Sequence, residues 1–305
     1  MGKHKGRKKE KLEEQASRFY NHYYNGLGKS KTEAPDKLRA IMTYHRHIEV
    51  TATIMDKLGI KRIKQITADI ANKYIESQRN VIAARSLENQ RTLLQRIVDI
   101  YDQGNKVIIQ GDLKPREWVN RSYTYEQVTT LMKHQNDRNR LSTAIAYSAG
   151  LRAQELLTIR RLDEVSASTN RTWRTDRFQG IDGVRYVVKG KGGLYREVSI
   201  PKKLSDILET KRLAEPKVVI DRKCPITTYY DIAGGKKFTD AFSRLSKSVF
   251  GWSHGAHGLR YSYAQERMNH TITNEPYSEK KEIVSQELGH FRKEITSHYL
   301  TPAAR

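Results

Sequence analysis

Cysteine is almost missing from this chain: Cys224 stands alone among 305 residues. One cysteine forms no internal disulfide and no thiolate zinc site, which excludes the stapled scaffolds of secreted domains and fits a reducing cytoplasm. Long apolar runs are missing too. No stretch of 18 consecutive apolar residues occurs, and the opening MGKHKGRKKEKLEEQ lacks the apolar segment of a signal peptide, so neither a membrane span nor secretion is expected. Acidic residues are scarce relative to basic ones, 34 Asp+Glu against 56 Lys+Arg, which leaves a formal charge of +22. Such an excess calls for an anionic partner without saying which fold meets it. The 37% of apolar residues suffices for one or two cores, and the length suggests about two domains of roughly 150 residues.

The charge is spread along the chain. Residues 1–117 hold 24 Lys+Arg and 14 Asp+Glu, a balance of +10, and residues 118–305 hold 32 and 20, a balance of +12. A neutral enzyme with a basic tail is thereby excluded, whereas a nucleic-acid binder and a DNA enzyme both remain. Lys3, Lys5, Arg7, Lys8, Lys9 and Lys11 crowd the first dozen residues, and a block of this kind reads as a basic, flexible tail over 1–30.

Helical periodicity follows the tail. Leu38, Ile41, Met42, Ile48, Ala52 and Met55 share one helix face; Ile66, Ile70 and Tyr74 share a second, and Leu87, Leu94, Ile97 and Tyr101 a third. These predict a small all-α module over 31–105. The pattern lapses around Gly104, Gly111 and Pro115, which makes 106–122 the expected linker to a second domain over 123–305. Thr124 with Gln127 has the form of a capping box that opens a helix carrying Val128, Leu131 and Met132. A following helix with Leu141, Ala144 and Ile145 is expected to stop at Gly150. From Tyr186 to Lys189 the chain runs into the glycines 190, 192 and 193 and then into the alternating Arg196–Pro201, which reads as a β-hairpin. The expected fold class is therefore mainly α with a small β-sheet.

Several motifs fail on inspection. Gly28-Lys29-Ser30 lacks the earlier glycine and the leading strand of a phosphate loop, since Tyr23 occupies the first glycine's place. His254, His257 and His270 come without a His-Glu-x-x-His helix or a cysteine pair, so no zinc site is expected. Gly190-Lys191-Gly192-Gly193 is too short for a dinucleotide fingerprint and reads as a turn.

Four segments carry more weight together. They are Ala149-Gly150-Leu151-Arg152-Ala153-Gln154-Glu155, then Gly190-Lys191-Gly192, then His257-Gly258-Leu259-Arg260, and finally Leu288-Gly289-His290 with Tyr299 nine residues on. In this order they resemble the tyrosine recombinase (phage integrase) family, whose motifs span most of 122–305; the module at 31–105 resembles that family's core DNA-binding domain in type and position. The resemblance implies a helical core-binding domain plus an α+β catalytic domain, closing as a clamp on duplex DNA. It assigns Tyr299 as nucleophile, Arg152 and Arg260 as the phosphate clamp, and Lys191 as general acid with Lys189 as the alternative. His257 and His290 would bond the phosphate and support proton transfer, and Glu155 would orient Arg152.

Elementary chemistry asks for the same residue types. Guanidinium groups neutralise non-bridging phosphate oxygens through paired, directed hydrogen bonds. A tyrosine that attacks phosphorus conserves the bond energy as a covalent link, and a lysine over the DNA can protonate the departing oxygen. Taken alone, Arg152 reads as a surface residue, Lys191 as a turn lysine, His257 as a packed histidine and Tyr299 as one of 17 tyrosines. Tyr261, Tyr263 and His298 lie near by in sequence but off the family's offset, and read as packing or DNA-contact residues. The resemblance further implies no cofactor, double-stranded DNA as partner, a homotetramer on paired sites, room for an accessory DNA-bending protein, and a cytoplasmic, DNA-associated location. Two polar stretches, 166–172 and 269–278, lengthen the intervals between these motifs, and only residues 300–305 follow Tyr299. A type IB topoisomerase-like enzyme, a catalytically silent DNA-binding regulator and a generic basic binder are the competing readings.

Overall fold

A computed structural model describes residues 2–29, 32–113 and 119–300. The chain divides into two compact units, Met1–Glu117 and Trp118–Arg305.

The first unit is helical: α1 (Gly2–Tyr24), α2 (Ile41–Lys57), α3 (Ala68–Gln78) and α4 (Ala84–Tyr101). Helix α1 replaces the flexible tail expected over 1–30. Its Leu12, Ala16, Phe19 and Tyr20 are buried at the i, i+4, i+7, i+8 spacing of one helix face, and the Tyr20 hydroxyl bonds Thr51 Oγ1 of α2 at 3.0 Å. The stripe begins inside the basic block, where Lys9 and Lys11 stay exposed; the side chains of Lys3, Lys5, Arg7 and Lys8 lie outside the described residues. Helix α2 contributes Tyr44, Ile48, Ala52, Ile54 and Met55, α3 contributes Ala71, Tyr74 and Ile75, and α4 contributes Leu87, Leu94, Ile97 and Val98 to the same core. Ile41 and Tyr101, expected on buried faces, are exposed at their helix ends. Of the stretch 106–122, the part after α4 packs on this unit: Val107 is buried and its N–H donates to Gln95 Oε1 at 2.7 Å, while Ile108 N–H donates to Asn72 Oδ1 at 2.9 Å. Residues 114–118 lie outside the described residues.

The second unit opens with α5 (Tyr125–Lys133) and α6 (Asp137–Ala149). Thr124 and Gln127 close the expected capping box on α5, and Gly150 ends α6 at φ 63°, a left-handed cap. A three-stranded antiparallel sheet follows, β1 (Arg160–Arg161), β2 (Gly183–Lys189) and β3 (Tyr195–Pro201), in the order β1-β2-β3. Val187 faces Glu197 and Lys189 faces Tyr195 across the β2–β3 pair, so the hairpin read from the glycines is present. Next come α7 (Lys202–Glu209), a two-stranded hairpin of β4 (Arg212–Asp221) and β5 (Cys224–Tyr230), and α8 (Gly235–Phe250). The chain closes with α9 (Gly258–Glu266), a π-helical turn at Arg267–Thr271, α10 (Tyr277–Glu287) and α11 (Lys293–Ser297).

Two clusters form the core of this unit. One gathers α5, α6, the sheet and α8 around Leu131, Ile145, Val188, Val198 and Phe242; the other gathers α9 and α10 around Tyr263, Ala264, Ile283, Val284 and Leu288 and includes Tyr299. Helix α9 belongs to both, with Leu259 in the first and Tyr261 in the second. Arg260 therefore sits at the seam. No helix among the described residues is long and apolar enough to cross a membrane.

Candidate active site

The site starts where α6 stops. A Cβ on Gly150 would come within 2.5 Å of the Tyr263 ring, so the left-handed turn needs glycine there. The chain then delivers Arg152 and Glu155 together. Glu155 is buried and gathers three arginines: Arg152 Nη1 donates to Oε1 at 2.6 Å, Arg196 Nη2 donates to Oε2 at 2.7 Å, and Arg260 Nη1 stands 3.7 Å from Oε2. The Arg152 backbone N–H adds a bond to Oε2 at 2.8 Å. Burial alone would raise the carboxyl's pKa; Arg196, Arg260, Arg152 and that N–H outweigh it and hold the group well below the usual carboxylate range. Glu155 is thus ionised and organises the positive charge around it.

Arg260, on α9, is fully buried. Its Nη1 donates to the Gly150 carbonyl and its Nη2 to the Leu288 carbonyl, which ties the end of α6 to the end of α10. Burial, with the adjacent Arg152, lowers its pKa to about 9, so it stays charged at neutral pH. His290 reaches the two arginines from the turn after α10. Gly289 makes that turn at φ 71°, where a Cβ would press on Arg196 Cδ at 2.9 Å. Nε2 of His290 lies 3.1 Å from Arg152 Nη2 and 3.3 Å from Arg260 Nη2. Arginine only donates, so Nε2 accepts and the proton sits on Nδ1. Burial, then Arg260, Arg152 and Arg196, push the His290 pKa far down, and the ring is neutral. One lone pair thereby faces two converging guanidinium groups, the position an anionic oxygen would take.

Tyr299 follows α11. Its N–H donates to Thr296 O at 2.9 Å and its carbonyl accepts from Gln265 Nε2 at 2.9 Å. The ring stacks on His290 with centroids 5.4 Å apart, and Arg260 Cζ lies 6.0 Å from its centroid. Tyr261 packs at 4.6 Å and the His257 ring at 5.9 Å. His257, at the start of α9, keeps an exposed edge, while desolvation of the ring and the charges of Arg260 and Arg152 lower its pKa. Arg152, Glu155, His257, Arg260, His290 and Tyr299 are therefore brought to one place. Lys191 sits exposed at the β2–β3 turn and lines, with His290, Arg171, Ser168 and Phe291, a cleft of ≈ 280 Å³. Lys189 points its Nζ at the Tyr195 ring, 5.6 Å from the centroid, and does not line that cleft. Among the described residues no three of His, Cys, Asp or Glu cluster as metal ligands.

Two further residues belong to this network. Arg196, on β3, is buried and donates Nη1 to the Glu287 carbonyl as well as Nη2 to Glu155. Its position was legible in principle, because 196, 198 and 200 share one face of an alternating strand and the other two are Val and Ile. Glu287 at the end of α10 accepts from Arg267 Nε at 2.9 Å and Nη2 at 2.7 Å and from the Tyr263 hydroxyl at 2.8 Å. It fixes the helix that presents His290, and nothing in its sequence neighbourhood marks it.

No family model matches the sequence, and no curated protein matches it. Solved structures do. The XerH site-specific recombinase bound to a palindromic difH substrate, in a post-cleavage complex, matches 95% of this chain and 90% of its own at TM-score 0.55 and 14% identity. A lambda integrase dimer bound to a COC′ core site matches 89% of this chain and 92% of its own at TM-score 0.58 and 16% identity. The Tn1549 transposon integrase in complex with circular intermediate DNA matches 96% of each chain at TM-score 0.53 and 14% identity. At these identities the likeness is one of fold, and the chain has the fold of the tyrosine recombinases: a helical core-binding domain plus a catalytic domain of helices and small antiparallel sheets.

Proposed function

We propose that this protein is a site-specific DNA recombinase that breaks and rejoins strands through a phosphotyrosyl intermediate on Tyr299. The observation that carries the reading is the convergence of Arg152 and Arg260 on His290 Nε2, at 3.1 and 3.3 Å, with the Tyr299 ring stacked on the same imidazole. Two guanidinium groups aimed at one acceptor form a receptor for a non-bridging phosphate oxygen. A phosphate that enters takes the acceptor role from His290 Nε2 and offsets the charge that keeps the ring neutral, which frees the imidazole to bond the phosphate or carry a proton.

The Tyr299 oxygen then attacks phosphorus. Its P–O bond forms as the P–O5′ bond breaks, and the tyrosine proton passes to a histidine of the site, His257 or His290. Lys191, exposed on its turn, gives a proton to the departing 5′ oxygen. Attack on the phosphotyrosine by a 5′ hydroxyl from a second duplex reverses these steps and joins the strands without ATP. Glu155 orients Arg152 and Arg260. Duplex DNA is the substrate, and a tetramer on two paired sites, serving integration or excision of a mobile element in the cytoplasm, is the assembly this chemistry requires for exchange. An accessory protein that bends the sites belongs to the same proposal.

The test places two cognate sites in direct repeat on a supercoiled plasmid in the presence of EDTA. Deletion of the intervening segment by the wild type, and none by Arg152→Ala, supports the reading. Relaxation of the plasmid without deletion supports a type IB topoisomerase-like enzyme instead, and binding with neither product identifies a silent regulator.

A further inference from the structure

The β4–β5 hairpin carries an anomaly outside the candidate site. Asp221 pairs with Cys224 across the ladder, so Arg222 and Lys223 alone make the turn. Both have positive φ, 50° and 65°, as a type I′ turn requires. Such turns are filled by Asn-Gly or Asp-Gly, because in the left-handed region a Cβ crowds the following carbonyl oxygen, and only Gly, with Asn and Asp, adopts it readily. Among the described residues only four other than glycine have positive φ, and two of them are adjacent here. Both side chains are exposed. Neither belongs to a hydrophobic core cluster of this unit. Backbone strain kept at an exposed basic tip points to a task for the tip.

The tip is also held in a definite place. Asp221 Oδ1 accepts the Lys236 N–H at 2.7 Å and Oδ2 accepts from Gln154 Nε2 at 3.3 Å. Gly235 N–H donates to the Ala153 carbonyl at 2.6 Å, and a Cβ on Gly235 would meet Asp221 Oδ1 at 2.5 Å. Ala153 and Gln154 lie in the loop between Arg152 and Glu155. The residue before Arg222 is thus hydrogen-bonded, side chain to side chain, to Gln154, two residues along the chain from Arg152.

We propose that the β4–β5 tip is a second contact with duplex DNA, in which Arg222 and Lys223 engage the sugar–phosphate backbone beside the phosphate received at Arg152 and Arg260. The inference rests on the DNA-recombinase reading and extends its binding surface. Phosphate contacts of this kind position the protein and carry no sequence information, so the tip sets register on the duplex. The left-handed turn presents two exposed cations on adjacent residues at the end of a ribbon, a shape suited to a charged backbone.

Two variants of the full chain separate this role from a structural one. R222N/K223G gives the turn its preferred residues, and R222A/K223A removes the charge while keeping the strain. Both are expected to raise the Kd for duplex DNA at least about tenfold and to lower the steepness of log K against log[salt] by roughly 1.8, the value for two lost phosphate contacts. Only R222N/K223G is expected to melt higher, by about 2–4 °C. Unchanged affinity and salt slope in either variant overturns the contact, and a lower melting temperature for R222N/K223G overturns the strain on which it stands. Wild-type protein is run alongside on a nicked site duplex: failure to form a denaturation-resistant adduct there counts against the recombinase reading, whereas adduct formation with unaltered binding in the variants counts against the hairpin contact alone.

Discussion

Glu155 decides the electrostatics of the site. Three guanidinium groups share one buried carboxylate, so the cluster keeps an excess of positive charge that a phosphate can neutralise. Removing one partner of a buried pair costs about 3–5 kcal/mol, and Glu155→Gln is expected to destabilise the protein by an amount of that order in denaturant unfolding. Arg260→Lys keeps a charge but loses the planar fork that reaches Gly150, Leu288 and His290. Cleavage should fall by at least about a hundredfold, with duplex affinity within roughly tenfold of wild type; equal cleavage by the variant counts against the phosphate clamp. His290 supplies a pH dependence. Its folded pKa lies well below the unfolded value near 6.5, so the unfolded chain binds a proton that the folded chain refuses. Stability is therefore complete above about pH 6.5 and declines as the pH falls below it. Melting temperatures from pH 7.5 to 5 should drop less in His290→Gln than in wild type, and an equal drop in both would remove the histidine from the account.

The elements show why some of the architecture was legible and some was not. Helices α5 and α6 announce themselves by local chemistry, the Thr124–Gln127 box and the left-handed Gly150, and the β2–β3 hairpin by its glycines and alternation. Helix α1 does not, because the apolar stripe from Leu12 to Tyr20 follows directly on the lysines that end at Lys11 and its partner residues lie in α2. The β4–β5 hairpin is hidden for a related reason: its turn lacks the Asn-Gly signature, and β4 runs exposed from 214 to 218 without alternating burial. Arg152, Arg260, His290 and Tyr299 were legible through their order and spacing, whereas Arg196 and Glu287 act through tertiary contacts that no short pattern records. Arg196 joins the hairpin that carries Lys191 to the end of α10 that presents His290. Arg196→Met, which keeps the volume, should lower cleavage while Tyr299 and both clamp arginines remain in place. Its duplex affinity should stay near wild type, and wild-type cleavage by this variant would make Arg196 a purely structural residue.

At the scale of the whole molecule, the charge of +22 is divided almost evenly between residues 1–117 and 118–305. A few cations converge on the candidate phosphate site, and the remainder suits both units to backbone contacts along a duplex. Counterion release then makes binding fall steeply with salt, about 0.9 of a decade per decade of salt for each phosphate neutralised. A full-length titration between 50 and 200 mM salt should show a loss of several hundredfold or more, and a nearly flat response would mean that the charge serves another partner. The central claim concerns a single oxygen atom. Trapping the protein on a nicked duplex, digesting the adduct with trypsin and mapping the nucleotide-bearing peptide by mass spectrometry separates Tyr299, in peptide 294–305, from the adjacent Tyr261, in peptide 261–267. The account predicts the nucleotide on Tyr299 and no adduct from Tyr299→Phe; a nucleotide on Tyr261, or an undiminished adduct from the variant, would contradict it.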